Sequence, residues 1–317
     1  MSTPKRSIAV IGMGPAGGIL AAHLIAAGHR VRPVEIWTEH REAMRRDGLV
    51  LEGALPLEVP PFEVLSALSE LNEPSPDLIV IAVKIPEALL MLSEISTIAG
   101  QAPVLLVQNG LEVEEPYLMT MGAGRVLRMV VNYAGWIEKP GRISVSFFNR
   151  PNWLGAFTPD AHPAAAEWAE VFTAAGLETR AVHDIEHKIW EKVVLNAVLA
   201  PVSAILGVTM GEALRKRDVA ALSKSLLEEC VSVAGACGYH FAPEFAQFSR
   251  HYLSQGDGHR PSMLVDIDRG RSTEIDWLNG KIVELARRHE IPVPVNEVIT
   301  ALVKSLEPHD AAEPDRR

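Results

Sequence analysis

Cysteine is scarce in this chain: only Cys230 and Cys237 occur in 317 residues. Their spacing follows neither a zinc knuckle nor a Cys-x-x-Cys redox pair, and a disulfide-stapled miniature fold is excluded. One helical face accommodates both, as buried thiols in a reducing cytosol. Positive charge is also short. Thirty Lys and Arg against forty Asp and Glu leave a formal charge of -10, so neither nucleic acid nor an anionic membrane is expected as a partner. Long unbroken apolar runs are missing as well. The longest, Val193 to Met210, is interrupted by Asn196, Pro201 and Ser203 and closely flanked by charge. It reads as one buried helix, or two meeting near Pro201, rather than a membrane span. Met1 to Arg6 is polar and carries no apolar stretch with a small-residue cleavage site, so no export signal and a cytoplasmic location are expected. No internal repeat is visible.

What is present is ordinary globular material, 48% hydrophobic and 22% charged. At about 100 to 200 residues per domain, the length points to two domains. From Ser7 to about His183, short β-branched runs alternate with helical stretches, the rhythm of a parallel sheet with crossover helices. The strand candidates are Ile8 to Ile11, Val31 to Glu35, Leu78 to Val83, Val104 to Val107 and Val126 to Val131. Ala16 to Ala27, closed by Gly28, is the first helix. Gly48 to Gly53 reads as a short strand, and Pro56 to Pro61 as a loop or an edge. The turn Lys139-Pro140-Gly141-Arg142, with alternating Ile143, Val145 and Phe147, predicts an antiparallel extension of the sheet where the parallel pattern ends.

After about Asp184 helical periodicity takes over: Ile185 to Ala200, Gly211 to Lys216, Val219 to Cys237, Pro243 to Leu253, Ser262 to Asp268, Glu274 to His289 and Asn296 to Leu306. The expected fold class is therefore an α/β Rossmann-type N-terminal domain with a parallel sheet, residues 1–183, followed by an all-α C-terminal domain, residues 184–317.

Gly12-Met13-Gly14-Pro15-Ala16-Gly17 is a Gly-x-Gly-x-x-Gly sequence directly after an apolar strand and at the head of a helix. In a dinucleotide site the first glycine permits the tight turn, the second lets backbone approach the pyrophosphate, and the third lets helix and strand pack closely. The helix N-terminus adds N–H groups and positive dipole, and Pro15 suits its first turn. The competing reading is a Gly-rich structural turn. Glu35 ends the second strand, 18 residues past Gly17. A carboxylate there accepts hydrogen bonds from a ribose 2′-hydroxyl and repels a 2′-phosphate, which favours NAD(H), with NADP(H) the alternative. Glu35 otherwise starts a solvated loop, and Arg32 and Arg41 nearby could meet a phosphate.

Lys84 and Gln108-Asn109-Gly110 each follow an apolar strand, where ligands of open α/β sheets gather. A lysine there is either a cofactor contact or a plain surface residue, and Asn-Gly is also a common turn. Lys192 and Asn196 stand four residues apart on one face of an apolar helix. Lys192 there either snorkels to water or, partly desolvated, donates a proton. The polar stretch Pro261 to Asp276 holds Thr273-Glu274, readable as a helix cap or as part of a site.

Along nearly its whole length the sequence resembles the ketopantoate reductases (2-dehydropantoate 2-reductases). The residues that carry the resemblance are the early glycine motif, Arg45-Arg46-Asp47-Gly48-Leu49, Val83-Lys84, Gln108-Asn109-Gly110 and Trp190-Glu191-Lys192 with Asn196. Gly211-Glu212 follows, then Ser262-Met263-Leu264 through Thr273-Glu274-Ile275-Asp276 to Asn279-Gly280, and the closing Pro292-Val293-Pro294-Val295-Asn296. The resemblance implies that Lys192 is the general acid and that Asn196 and Asn109 orient substrate or nicotinamide. It further implies that Ser262 holds the substrate carboxylate, that Glu274 acts at the active centre beside the cofactor, and that Lys84 lies near the cofactor. Three departures stand out: Ala200 where the family has a second asparagine, Ile36 where it commonly places an arginine for the NADP phosphate, and a bulkier Val131 to Trp136.

The expected activity is NAD(P)H-dependent reduction of a small 2-oxo acid to the 2-hydroxy acid, with Lys192 protonating the developing alkoxide and no metal involved. The alternatives are a dehydrogenase of another 2- or 3-hydroxy acid, motivated by Ala200 and Trp136, and a non-catalytic NAD-binding redox sensor. An apolar helical domain is compatible with a homodimer.

Overall fold

The computed structural model describes residues 4–71, 75–245, 247–249 and 258–308. Two compact units emerge: residues up to Gln108 together with Glu112–Lys188, and Asn109–Leu111 together with Ile189 onwards.

The first unit is built on a seven-stranded sheet. Its strands are β1 (Ser7–Ile11), β2 (Arg30–Val34), β5 (Leu78–Ile81), β6 (Val104–Leu106), β7 (Val126–Val130), β10 (Asn152–Ala156) and β11 (Thr179–Val182), in the order β11-β10-β7-β6-β5-β1-β2. From β2 to β7 every pairing is parallel. Ile8 and Val10 join one apolar cluster and Ala9 and Ile11 another. A strand buried on both faces needs an unbroken apolar run, which is why β5 and β6 stand out in the sequence; β2 carries Arg30 and Arg32, and β7 carries the buried Arg128. β10 is antiparallel to β7, yet parallel pairing resumes between β10 and β11, beyond the point where the sequence pattern predicts its end. Helix α1 (Pro15–Ala26) connects β1 to β2, and Gly28, at φ +84°, supplies the left-handed residue just past it. The other helices of this unit are α2 (Thr38–Asp47), α3 (Ile85–Leu90), α4 (Leu92–Ala99), α5 (Glu115–Met121) and α6 (His162–Ala174).

The hairpin after Val130 corrects the expected extension of the main sheet. β8 (Tyr133–Lys139) and β9 (Arg142–Phe148) are antiparallel partners, but β9 also pairs in parallel with β3 (Leu49–Gly53), which pairs with the edge strand β4 (Leu57–Val59). The result is a separate four-stranded sheet, β4-β3-β9-β8. The cause is a non-local pairing, Val50 with Arg142, that no local pattern encodes. This sheet lies on α1. A Cβ added to Gly18 would overlap Ile143, so only glycine allows the approach. The Tyr133 hydroxyl donates to the Ala16 carbonyl at 3.1 Å.

The second unit is helical: α7 (Ile185–Leu206, from Ile189), α8 (Met210–Leu214), α9 (Arg217–Ala236), α10 (Ser262–Asp268), α11 (Asn279–Arg288) and α12 (Pro294–Leu306). Helix α7 runs through Pro201 as one helix of 22 residues with most of its apolar window buried, the first of the two readings, and it ends at Leu206 rather than at the expected Ala200. Proline removes one backbone donor from the ladder, and a side chain replaces it: Asn279 Nδ2 donates to the Ala197 carbonyl at 3.0 Å. The expected helix Glu274 to His289 is split into a short 3-10 turn, Ile275–Trp277, and α11, because Leu278 adopts φ −108°, ψ −103°. Of the helix expected over Pro243 to Leu253, residues 246 and 250–253 lie outside the described residues.

Candidate active site

The glycine turn between β1 and α1 sits where the order of the main sheet reverses direction, with β2 on one side of β1 and β5 on the other. Such switch points are the ligand sites of open α/β sheets. Gly12 has φ +95°, and its N–H donates to the Val34 carbonyl at 2.9 Å. At Gly17 a Cβ would overlap the Gly12 carbonyl, so this glycine closes the turn. Gly14 differs. A Cβ built there meets no atom within 4 Å. The chain itself does not need glycine at that position, whereas a group approaching the start of α1 would. Pro15 is the first residue of α1. The turn fits a dinucleotide pyrophosphate on these grounds.

Three side chains brace the turn. Glu35 accepts the Met13 N–H at 3.0 Å and the Trp37 N–H at 2.8 Å, so its carboxylate is fixed beside the glycines and remains half-buried. His40, fully buried, is bonded through Nδ1 to the Gly141 N–H at 3.0 Å and through Nε2 to the Met13 carbonyl at 3.0 Å. An N–H can only donate and a carbonyl can only accept, so the ring is the neutral Nε2–H tautomer. Burial depresses its pKa, opposed by the bond to Met13 and the charge of Glu35. Tyr133 completes the brace through Ala16. On sequence alone His40 is a further group that could meet a 2′-phosphate, and Tyr133 lies in the bulkier Val131 to Trp136 segment; their bonds to Gly141 and Ala16 leave no sequence signal because these partners lie far away in the chain. His40 is not available to a 2′-phosphate. Arg41 Nη1 donates to the carbonyls of Glu35 at 2.9 Å and Ile36 at 3.3 Å, and the Ile36 side chain is 80% exposed.

Lys84 is half-buried and precedes α3 directly after the β5 strand end. The next strand end is tied to it: Gln108, buried, donates from Nε2 to the Val83 carbonyl at 2.8 Å. A buried ion pair that the sequence reading missed lies in the same unit. Arg128 Nη1 on β7 stands 3.7 Å from Glu114 Oε2. Burial pushes the Glu114 carboxyl up, against the pull of Arg128, and pushes the Tyr117 hydroxyl up to about 12, again with Arg128 opposing.

The remaining predicted residues, Asn109, Lys192, Asn196, Ser262 and Glu274, all belong to the second unit. Lys192 and Asn196 are half-buried on one face of α7, and Ala200, one turn further, is buried. The loop carrying Asn109 is anchored by the Leu111 N–H, which donates to the Trp277 carbonyl at 3.0 Å, three residues past Glu274. Thr273 beside Glu274 is buried, and Glu307 Oε1 accepts both its N–H, at 2.7 Å, and its hydroxyl, at 2.5 Å. The Thr273 oxygen in turn accepts the Ile275 N–H at 3.2 Å, a local turn bond, while the N-cap of the 3-10 turn is Glu274. Ser262 is exposed on the first residue of α10. One group was missed here too: His259, whose pKa falls to about 4 through burial first and the charge of Lys192 second. The imidazole is therefore neutral near pH 7, and the charge of Lys192 favours that form. An isolated histidine between turns leaves no periodic signal in a sequence.

A pH effect on stability follows. His23, His29, His40 and His259 all have folded pKa values below the ordinary 6.5, in each case mainly through burial. Between 6.5 and the lowered values the unfolded chain binds more protons than the folded one, so stability is held above pH 6.5 and lost as pH falls through that window. The melting temperature should drop between pH 6.5 and about 4; a flat profile would remove this assignment.

The family description "Ketopantoate reductase PanE/ApbA" matches residues 8–159, and "Ketopantoate reductase PanE/ApbA C terminal" matches residues 184–307. The 2-dehydropantoate 2-reductase of Pyrococcus horikoshii is 30% identical over 302 residues, covering 95% of this chain and 97% of that protein. Among solved structures, a PanE/ApbA family ketopantoate reductase from Ralstonia eutropha is 29% identical with TM-score 0.83, covering 95% and 98% of the two chains. D-mandelate dehydrogenase with NADH and anilino(oxo)acetate shares the fold at TM-score 0.85 and 24% identity, covering 95% and 97%.

Proposed function

We propose, from the premise that this chain belongs to the ketopantoate reductase family, that it reduces a small 2-oxo acid to the 2-hydroxy acid at the expense of a nicotinamide dinucleotide. The observation that carries this reading is the grouping of Lys192 and Asn196 on α7 in the same unit as the Asn109 loop, which is bonded to the turn that follows Glu274. The bound nicotinamide would supply the hydride. In the N-terminal unit, Gly12, Met13, Gly14, Pro15, Ala16 and Gly17 would hold the pyrophosphate against the start of α1, with Glu35 on the ribose and Lys84 nearby. In the helical unit, Lys192 as an ammonium protonates the developing alkoxide, Asn196 and Asn109 orient the carbonyl, and Ser262 holds the carboxylate. Glu274 completes the polar lining beside the cofactor. Positioning and charge stabilisation by these groups contribute the rate.

NADH is the preferred reductant in this reading. Glu35 sets a negative charge at the ribose, Ile36 offers no base to a 2′-phosphate, and Arg41 is engaged by the carbonyls of Glu35 and Ile36. Ala200 and the Val131 to Trp136 segment reshape the pocket in this reading, so that ketopantoate need not be the best substrate. The methyl group of Ala200 cannot bond a substrate hydroxyl, and an unpaired hydroxyl in a polar pocket changes discrimination by orders of magnitude. The test is oxidation of NADH and NADPH with a panel of 2-oxo acids that includes ketopantoate. We expect turnover, with kcat/KM about tenfold or more in favour of NADH, equal to about 1.4 kcal/mol. A preference for NADPH would overturn the role of Glu35, and ketopantoate as the best substrate would overturn the role of Ala200. Cofactor binding without turnover of any acid would leave the redox sensor.

A further inference from the structure

The helix that carries Lys192 and Asn196 contains a proline, and the repair of that defect is a built structure. Pro201 has no N–H, so the carbonyl four residues earlier, on Ala197, loses its helical partner. Ala197 follows Asn196 directly. Its carbonyl accepts from Asn279 Nδ2 at 3.0 Å, and the same amide nitrogen donates to Asn296 Oδ1 at 2.9 Å. Asn296 in turn donates to Glu229 Oε2 from Nδ2 at 2.7 Å and from its backbone at 2.9 Å, while the Val295 N–H reaches Glu229 Oε1 at 2.9 Å. Both asparagines are fully buried.

The direction of this relay is determined by its first member. An ionised carboxylate only accepts, so Asn296 must turn its NH₂ towards Glu229 and its oxygen away. That oxygen then demands a donor from Asn279, which fixes the Asn279 NH₂ with its second hydrogen on Ala197. The Cys230 thiol adds a long contact to the same Asn296 oxygen, at 3.7 Å. Four helices are thereby keyed together: α9 through Glu229, α12 through Asn296, α11 through Asn279 and α7 through Ala197. A buried polar network of this kind favours one arrangement through the bonds it makes; here every bond of the relay runs through the Asn279 nitrogen, while its Oδ1 is buried without a hydrogen-bond partner.

We propose that Asn279 is a positioning residue for the reaction: by replacing the donor that Pro201 lacks, it sets the course of α7 and so the aim of Asn196 and Lys192. This rests on the reading of Lys192 as proton donor. Asn279 itself touches no reacting atom.

The test is a double-mutant cycle of Asn279→Ala and Pro201→Ala, read in kcat, in cofactor affinity and in urea denaturation. Pro201→Ala restores a backbone N–H to the Ala197 carbonyl, so it makes the Asn279 donor redundant. We expect Asn279→Ala alone to lower kcat by about tenfold or more with NADH affinity unchanged, since small misplacements of catalytic groups cost that much. In the Pro201→Ala background the same substitution should cost about threefold or less, because coupled residues are not additive. Equal losses in both backgrounds, or an unchanged kcat in Asn279→Ala, would overturn the proposal. Coupling in urea stability without coupling in kcat would also overturn it, since the relay would then be structural only. Should Asn279→Ala fail to fold alone, the cycle is run with Asn279→Ser, whose hydroxyl keeps Asn296 paired, and the same outcomes decide. Failure of the functional reading is separable: Lys192→Ala with wild-type kcat removes the donor assignment whatever the cycle shows.

Discussion

Gly14→Asp should abolish dinucleotide binding and leave the protein folded. The two halves of this expectation come from one observation, that a Cβ at Gly14 meets nothing within 4 Å. The backbone there, φ −60° and ψ −176°, is open to any residue, and Gly14 is the N-cap of α1. Aspartate is a favourable N-cap and glycine only slightly less so, so by this measure alone the helix gains about 0.3 kcal/mol. The same carboxylate would occupy the approach of the pyrophosphate and repel it. Dissociation constants for NADH, followed by fluorescence titration, should rise at least about a hundredfold, close to 2.7 kcal/mol, with the melting temperature unchanged or higher. Gly17→Ala is the contrasting control. Its Cβ overlaps the Gly12 carbonyl, so it should lower the melting temperature as well as the affinity. Wild-type affinity in Gly14→Asp would displace the nucleotide from this turn.

Lys192→Ala should lower kcat by about a hundredfold or more with NADH affinity nearly intact, the signature of a lost general acid. Lys192 is half-buried on α7, one turn before Asn196, and its charge helps to keep the half-buried His259 neutral. Lys192→Arg separates charge from proton transfer, because a guanidinium keeps its charge but does not give up a proton in a protein. It should retain more substrate affinity than Lys192→Ala while remaining slow. Unchanged kcat in Lys192→Ala would show that the proton comes from elsewhere, with water held by Glu274 the next source to test.

Much of the fold was legible in the sequence because its signals are local. The central strands β1, β5 and β6 announce themselves by apolar runs, since both of their faces are covered. Gly12 and Gly17 were readable because each answers a backbone requirement of one short turn. The helical unit was readable from periodicity, apart from the break at Leu278, where the polar residues around it suit a helix and a turn equally.

The candidate site was legible only in its members. Glu35 could be placed at a strand end, but its hold on the Met13 N–H could not. Nothing in Thr38 to Asp47 marks His40 as the link between the glycine turn and Gly141, a hundred and one residues away. Arg128 interrupts an otherwise apolar strand, and its ion pair with Glu114, fourteen residues away, is visible only in the folded chain.

The sequence by itself determined the periodicities, the turn chemistry and the residue types available for catalysis, because each depends on neighbours a few positions apart. The tertiary structure alone decided the second sheet, where Val50 meets Arg142, and the relay from Glu229 to Ala197. Those depend on which distant groups share a hydrogen bond once the chain is folded. A buried donor or acceptor must find a partner, but which one it finds is settled by packing, not by its own neighbourhood in the chain.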